Sequence, residues 1–417
     1  MEILSIGEKI RRIRIYKGLT LKDLCSNRIS ISKMSCIENE KIKPDDSILK
    51  FIADKFDVDV EYLKQSIRDQ IKNNIKVIMN DKNKFNYEAE LEYNLNFAEK
   101  YNYNDICIKL LHLLFNYFIE KNQINSAWIL VPKYYGYIQK CFNDKNTAVY
   151  YMDIGKYLFK AEEYTQSLNY YNNVINISKR VCNNSILVEA LYSKMKCLLM
   201  LKKYKEVYTL VDKLIELSEC ENEKLKKAKI YHLISVIYLR QNKNDFQKFR
   251  DISYSMYEKN LVEKANEMFD YAEVMFEMNM KDEALENLKN ALQIYPNDDK
   301  EAKIKFILDI VCKLIKNDIL NIAETLCNNV LNESIKLNNI VFIEKSYYYK
   351  SRIFEKKGDI VSAETYMSFS MDALLKFANK KMVYKRYMEM GNMYYRMKNT
   401  SESIKYFNFA VQIRKKL

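Results

Sequence analysis

The sequence predicts an all-α chain in which a small helical head precedes a long array of helix pairs. Only 6 Gly and 3 Pro occur in 417 residues, which leaves almost no turn chemistry for sheets and favours nearly continuous helix. From about residue 67 onward, the small or apolar residue that opens every second helix recurs at Ala127, Ser167, Val207, Phe249, Ala284, Ala323, Ala363 and Ser403, at steps of 40, 40, 42, 35, 39, 40 and 40. Such a period describes a solenoid. The length also exceeds the usual size of one hydrophobic core, so a repeat array or several domains is expected.

In the head, Ile6, Ile10 and Ile13, with Tyr16 or Lys17, stand at three- and four-residue steps and form one apolar stripe on a basic helix. That helix is expected to pack through its isoleucines and show Arg11, Arg12 and Arg14 to solvent or phosphate. Gly18 stops it. Thr20 is then an N-cap with Asp23 three residues on, opening a second helix from Leu21 to about Ser26. After a turn through Asn27 to Ser30, a third helix is predicted from about Ser32 to Asn39, with Met34 and Ile37 inward and Ser32, Lys33, Ser35 and Cys36 outward.

The segment from Ile6 to Leu63 resembles the lambda-repressor-like (XRE-type) helix-turn-helix family. The resemblance lies in Ile6-Gly-Glu-Lys-Ile-Arg, Lys17-Gly-Leu-Thr20, Leu24, Ser35-Cys-Ile-Glu-Asn39, Pro44, Leu49, Ile52-Ala53, Phe56 and Val58-Asp-Val-Glu-Tyr-Leu63, and covers the whole domain. It implies that the third helix enters the major groove of double-stranded DNA, with Ser32, Lys33 and Cys36 facing base edges. Lys22, Ser35, Asn39, Lys41 and Lys43 then contact the backbone. Two positions depart from the family pattern. Leu21 stands where many relatives carry Gln, and Cys36 where many carry Arg; Cys36 has no bidentate contact to offer guanine.

Within the array, Tyr151, Ile154, Gly155 and Leu158, followed by Ser167, Tyr171 and Val174, show the tetratricopeptide order of large, apolar, small and apolar residues and then small, aromatic and small. Tyr387, Met390, Gly391, Tyr394, Ser403, Phe407 and Ala410 repeat it. So do Met268, Tyr271, Ala272, Met275, Ala284, Leu288, Ala291 and Pro296. Small residues are required where two helices cross at close approach. The expected fold is therefore a lambda-repressor-like helix-turn-helix domain followed by a right-handed tetratricopeptide-like α-solenoid, with longer loops than the 34-residue form. Residues 1–65 are assigned to the head, 66–105 to a linker helix and degenerate repeat, and 106–417 to the repeats.

A curved solenoid lines its inner wall with the first helix of each pair. The residue after each small position on that helix gives one row: Asn116, Lys156, Lys196, Tyr238, Glu273, Cys312, Arg352 and Asn392. One turn earlier stand His112, Met152, Tyr192, Ile234, Phe269, Leu308, Tyr348 and Met388. Amides can pair with the backbone N–H and C=O of an extended peptide, cations with its carboxylate, and rings with its apolar side chains. The candidate peptide-binding residues are Asn116, Lys156, Tyr192, Lys196, Tyr238, Glu273, Tyr348, Arg352 and Asn392.

The remaining composition narrows the function classes. Net charge is +13, from 68 basic and 55 acidic side chains. Residues 1–43 hold ten Lys or Arg against five Asp or Glu, the surplus a DNA-binding head needs. The rest of the surplus follows as readily from a codon bias toward Lys, Asn, Ile and Tyr. No apolar run approaches the ~20 residues of a membrane helix, and no signal segment opens the chain, so a soluble cytoplasmic protein with no membrane partner is expected. Nine Cys stand at 25, 36, 107, 141, 182, 197, 220, 312 and 327 without Cys-x-x-Cys or Cys/His spacing, which fits reduced thiols and no metal. His112 and His232 are the two histidines, and there is no phosphate loop, H-E-x-x-H or nucleophile elbow, so no catalytic residue and no cofactor is assigned. The 34 Tyr fall at helix-packing positions.

In architecture the chain resembles the RRNPP family of peptide-responsive regulators, which join such a head to such an array. The resemblance implies a quorum-sensing regulator, a homodimer held by repeat contacts, a short signalling peptide in the concave groove, and heads reoriented on binding. Two other readings stay open: an adaptor whose array docks a response regulator or other protein, and a regulator whose array only dimerises.

Overall fold

The computed structural model describes residues 2–26, 28–80, 86–181, 183–219, 221–241, 245–258 and 260–415, and every regular element among them is a helix. Cys182 and Cys220 lie outside the described residues. The chain forms two compact units, Met1–Glu221 and Asn222–Leu417. No helix among the described residues is long and apolar enough to cross a membrane.

The first unit begins with α1 (Ile6–Tyr16), α2 (Leu21–Cys25), α3 (Ile31–Glu38), α4 (Asp46–Phe56) and α5 (Val60–Lys64). Local chemistry sets their starts. Ser5 and Glu8 form a capping box on α1, Thr20 and Asp23 form one on α2, and Ser30 and Asp45 cap α3 and α4. The third helix thus starts one residue earlier than expected, because the Ser30 hydroxyl takes the N–H of Lys33 at 3.2 Å. Gly18 follows α1 at φ +68°, the left-handed conformation that ends a helix cheaply only at glycine. Ile10, Leu24, Met34, Ile37, Leu49, Ile52, Phe56 and Leu63 close the core of the five helices. Tyr16 is not part of the stripe and is 91% exposed. Gly7 sits where α1 abuts the end of α3: a Cβ there would lie 2.5 Å from the Ile37 carbonyl oxygen.

Two helices, α6 (Ile67–Asn80) and α7 (Tyr87–Lys100), form the predicted additional pair, and the segment before α1 is docked on it. Ile3 is buried among Ile71, Ile75, Ile78 and Tyr87. Its N–H donates to the Tyr93 hydroxyl at 3.1 Å. The Gln70 carboxamide accepts from the Leu4 N–H at 3.0 Å and donates to the Leu4 carbonyl at 2.7 Å. The side chain of Lys9 reaches the carbonyls of Tyr62 and Gln65 at 2.7 and 2.9 Å, so a buried ammonium closes the end of α5.

The repeats of the first unit are α8 (Asn104–Glu120) with α9 (Ile124–Lys140), α10 (Asp144–Lys160) with α11 (Tyr164–Arg180), and α12 (Asn184–Met200) with α13 (Tyr204–Tyr208) and α14 (Val211–Ser218). The second unit holds α15 (Lys224–Arg240) with α16 (Asp245–Tyr257), α17 (Leu261–Glu277) with α18 (Lys281–Ile294), α19 (Lys300–Lys316) with α20 (Leu320–Lys336), α21 (Ile340–Lys357) with α22 (Ile360–Leu374), and α23 (Lys380–Arg396) with α24 (Thr400–Arg414). These are tetratricopeptide-like helix pairs. The long period does not come from long loops, contrary to expectation. Helices of 17 residues alternate with short turns such as 121–123 and 161–163, so the added residues lengthen the helices. The middle residue of many turns is left-handed without being glycine, as at Asn122, Glu162, Lys202, Asp318 and Lys398.

The small positions do what the sequence pattern requires. A Cβ on Gly155 would lie 2.6 Å from the Tyr171 ring, and one on Gly391 would lie 2.6 Å from the Phe407 ring. At the same crossings the Ser167 hydroxyl donates to the Gly155 carbonyl at 2.8 Å and Ser403 to that of Gly391 at 3.0 Å. A serine satisfies its hydroxyl there while keeping the small volume the crossing needs.

Candidate functional site

Two surfaces collect the residues singled out in the sequence, and both begin in the first unit. On the head, Ser32 and Lys33 are exposed on the first turn of α3, with Ser35 and Cys36 half-buried behind them. Lys22 on α2 and Lys41 and Lys43 after α3 are exposed as well. Lys33 Nζ lies 3.9 Å from Asp45, a loose surface pair that leaves the ammonium mobile. Asn39 is exposed but directs its amide to the Ser35 carbonyl at 2.8 Å. The Cys36 carbonyl accepts the N–H of Lys41 at 2.8 Å, which fixes the Lys41–Lys43 loop to the end of α3. Ile42, Lys43 and Pro44 also line a cleft of about 350 Å³ with Tyr101 and Tyr103, just beyond α7.

One basic residue of α1 has a different place from the one expected. Arg14 does not face solvent: its guanidinium holds both carboxylate oxygens of buried Glu38, at 2.6 and 2.9 Å, and donates to the Leu19 carbonyl at 2.9 Å. A bidentate fork of this kind aligns α1 with α3 and is spent on the head itself. Arg12 is ion-paired with Glu2, whereas Arg11 is exposed.

The second surface is a groove on the first helices of three successive pairs. Asn116 of α8, Lys156 of α10, and Tyr192 and Lys196 of α12 line one cavity of about 370 Å³ together with Phe159 and Glu189. An adjoining cavity of about 420 Å³ shares Asn116, Glu120 and Lys156 and adds His112, Tyr117 and Tyr87. The structure thus brings together four of the nine predicted peptide contacts.

Behind this groove stands Asp153, fully buried. Its carboxylate accepts from Asn116 Nδ2 at 2.8 Å and from the Tyr134 hydroxyl at 3.0 Å, and lies 2.6 Å from His112 Nδ1. A carboxylate accepts only, so Nδ1 carries the hydrogen and Nε2 is the other ring nitrogen. The second amide hydrogen of Asn116 goes to the His112 carbonyl at 2.8 Å. Asn116 therefore has its carbonyl oxygen alone to offer, which corrects the expectation that it pairs with both N–H and C=O of a ligand. The Tyr134 phenol is pushed well above its ordinary pKa by burial and by the charge of Asp153. Lys156 meets Glu189 at 2.8 Å. Burial alone would lower its pKa, but the carboxylates of Glu189 and Asp153 outweigh that and raise it, so the ammonium stays charged.

The other predicted contacts lie in the second unit, and four of the five are engaged there. Glu273 is ion-paired with Lys313. The Tyr348 ring carries Arg386 4.2 Å from its centre. Arg352 meets Glu355 at 2.7 Å, and Asn392 is exposed on α23. The register assigned to α15 needs correction: the crossing residue is Ser235, whose hydroxyl donates to the Phe246 carbonyl at 2.8 Å as Ser351 donates to Ala363 at 2.6 Å. Val236 follows it, and Tyr238 stands two residues on, stacked 5.1 Å from Phe249 of its partner helix. Met152, Ile234 and Leu308 of the second row are buried in helix packing rather than open on a wall.

The corrected register exposes a relation that residue types alone concealed. His232 stands on α15 where His112 stands on α8, and each faces an aspartate at one equivalent position of the following first helix, Asp153 and Asp270. Asp153, Tyr134 and Glu189 were missed because a buried aspartate in a helical pattern looks like a surface residue. The 41-residue step from His112 to Asp153 was the available signal.

No protein-family profile matches the chain, and no curated protein sequence does. Solved structures with a similar backbone include the apo form of the quorum sensor NprR from B. thuringiensis, at 17% identity and TM-score 0.44 over 85% of this chain and 100% of that one. A Rap protein complexed with competence and sporulation factor is similar at 9% identity and TM-score 0.45, over 98% of each chain. Bacillus thuringiensis PlcR in complex with the peptide PapR7 and DNA is similar at 16% identity and TM-score 0.38, over 61% of this chain and 94% of that one.

Proposed function

We propose that the chain is a cytoplasmic quorum-sensing transcriptional regulator. Residues 1–65 grip promoter DNA, 66–105 join the head to the array, and 106–417 take up a short signalling peptide and pair two copies into a homodimer. The sequence resemblance of the head to XRE-type domains supports the DNA role, as do the exposed Ser32, Lys33, Lys41 and Lys43 at and beyond α3.

The observation that carries the switch is continuity of packing. Tyr87 of α7 lines the groove and belongs to the same buried core as Ile3, the residue that ties the head to the array. A ligand that displaces α7 therefore displaces the head, and it shifts the population of head orientations by its differential affinity for them. Fluorescence anisotropy with fragments of the chain's own promoter, with and without short peptides encoded beside the gene, tests this. Peptide-dependent DNA affinity supports the reading; DNA affinity indifferent to every such peptide rejects it.

A second reading has one observation in its favour. Trp128, Ile129, Tyr135 and Phe142, on α9 and just beyond it, are 58%, 74%, 47% and 74% exposed, an apolar surface of the kind that protein partners cover. An adaptor docking a response regulator there would keep its partner affinity after residues 1–65 are removed.

A further inference from the structure

Beside the segment that precedes α1 lies a cavity of about 400 Å³ that offers many acceptors and few donors. Glu2, Asn74, Ile78, Glu90, Tyr93 and Asn94 line it, and none of its lining residues belongs to the groove of α8, α10 and α12. Asn74 and Asn94 are only 5% and 2% exposed. Their amides form a relay: Asn94 Nδ2 donates to the Glu90 main-chain carbonyl at 2.8 Å, and Asn74 Nδ2 donates to Asn94 Oδ1 at 3.0 Å. A main-chain carbonyl only accepts, so the direction of both bonds is fixed. The relay leaves Asn74 Oδ1 over, and this oxygen meets no donor among the described residues. An acceptor on so buried a side chain costs free energy unless an occupant of the cavity supplies a hydrogen.

The charges favour the same occupant. Glu90 is half-buried and pairs with no cation among the described residues. Glu2 is shared with Arg12 of α1. The Tyr93 hydroxyl accepts the Ile3 N–H at 3.1 Å and has one hydrogen left to donate. An anion would therefore meet carboxylates and a single donor, whereas an ammonium can give one hydrogen to Asn74 and another to Glu90. Ile78 and the Tyr93 ring add apolar surface for a short alkyl stem.

We propose that this cavity binds a small aliphatic primary amine, its ammonium held by Asn74 Oδ1 and the Glu90 carboxylate. Gln70, Asn74 and Ile78 stand at four-residue steps on one face of α6, and Gln70 brackets Leu4. The amine thus sits one turn beyond the docked segment, against the same Tyr93 that takes the Ile3 N–H. Its binding braces residues 2–4 on α6 and α7, an input to the head separate from any ligand of the groove.

The test titrates the full chain with diaminobutane at physiological ionic strength, following heat by calorimetry and the Ile3 and Leu4 amides by hydrogen exchange. Saturable binding is expected, with exchange at both amides slowed about tenfold when the diamine is at about ten times its dissociation constant. Glu90→Gln lowers the affinity at least about tenfold, while Glu92→Gln, exposed on the same helix, leaves it unchanged. The fully N-methylated diquaternary analogue, charged but without N–H, binds at least about tenfold more weakly, because it has no hydrogen for Asn74. No saturable binding by the parent chain, or equal losses in Glu90→Gln and Glu92→Gln, overturns the site. Equal affinity for the quaternary analogue overturns the assignment to a primary amine, as does potassium ion that slows Leu4 exchange as far as the diamine does. Binding with unchanged exchange at Ile3 and Leu4 overturns the bracing of the head. Circular dichroism of Glu90→Gln separates lost binding from lost folding.

Discussion

The carboxamide of Gln70 brackets Leu4, accepting its N–H and donating to its carbonyl as a neighbouring strand would. Tyr93 takes the preceding N–H, and Ile3 fills the core behind. The head therefore does not hang on a loose tether; it moves with α6 and α7.

Gln70→Ala combined with Tyr93→Phe removes the partners of the Ile3 and Leu4 amides. Each bond contributes about 1 kcal/mol, so hydrogen exchange of these two amides should accelerate by about one order of magnitude. Exchange at α10 and α11 should not change. Unaltered exchange at Leu4 would show that the bracket does not hold the head.

Arg14 and Glu38 form a partly buried fork, so removing one partner strands the other. Glu38→Ala should destabilise the head by about 3 kcal/mol, read as accelerated exchange throughout α1 and α3. Arg11→Ala, at an exposed position, serves as the neutral comparison.

Gly155→Ala places a methyl 2.6 Å from the Tyr171 ring. Overpacking of this kind costs about 1–3 kcal/mol and should lower the urea midpoint of the first unit. Gly391→Ala should do the same to the second unit through Phe407.

Burial pushes the Cys107 thiol up to about 11 and the Cys327 thiol up to about 12. Both are neutral at pH 8 and should resist iodoacetamide, while half-buried Cys36 and Cys141 alkylate first. The unfolded chain loses these protons near the ordinary value of 9.0, before the folded chain does. Stability present below that pH is therefore lost as pH rises through the folded values, and urea midpoints should fall between pH 9 and 11.

On the DNA face, Lys33→Ala should weaken operator binding selectively, and Lys41→Ala should weaken all DNA binding and reduce its salt slope by about one. Equal losses on specific and random DNA for Lys33→Ala would remove it from base recognition.

Much of the fold is legible in the order of residues along the chain. The head's helices follow from Thr20, Asp23, Gly18 and the isoleucine steps because caps and periodicity act within a few residues. The repeats follow from Gly155, Ser167, Gly391 and Ser403 because a close helix crossing admits only small side chains. Arg14 is misplaced by the same reasoning for the opposite cause: its partner, Glu38, is 24 residues away. In α15 the regular step puts the crossing at Ile237, and only the bond from Ser235 to the Phe246 carbonyl moves it to Ser235.

The sequence alone determined that the chain is helical, that it repeats, and that Thr20 opens the second helix of the head, since these depend on neighbours a few positions apart. The tertiary structure alone decided what the polar groups do. Asp153 became a buried acceptor, Asn116 lost its donors to it, and Gln70 found Leu4, because hydrogen-bonding capacity is allotted among groups that meet only after packing has brought distant helices together.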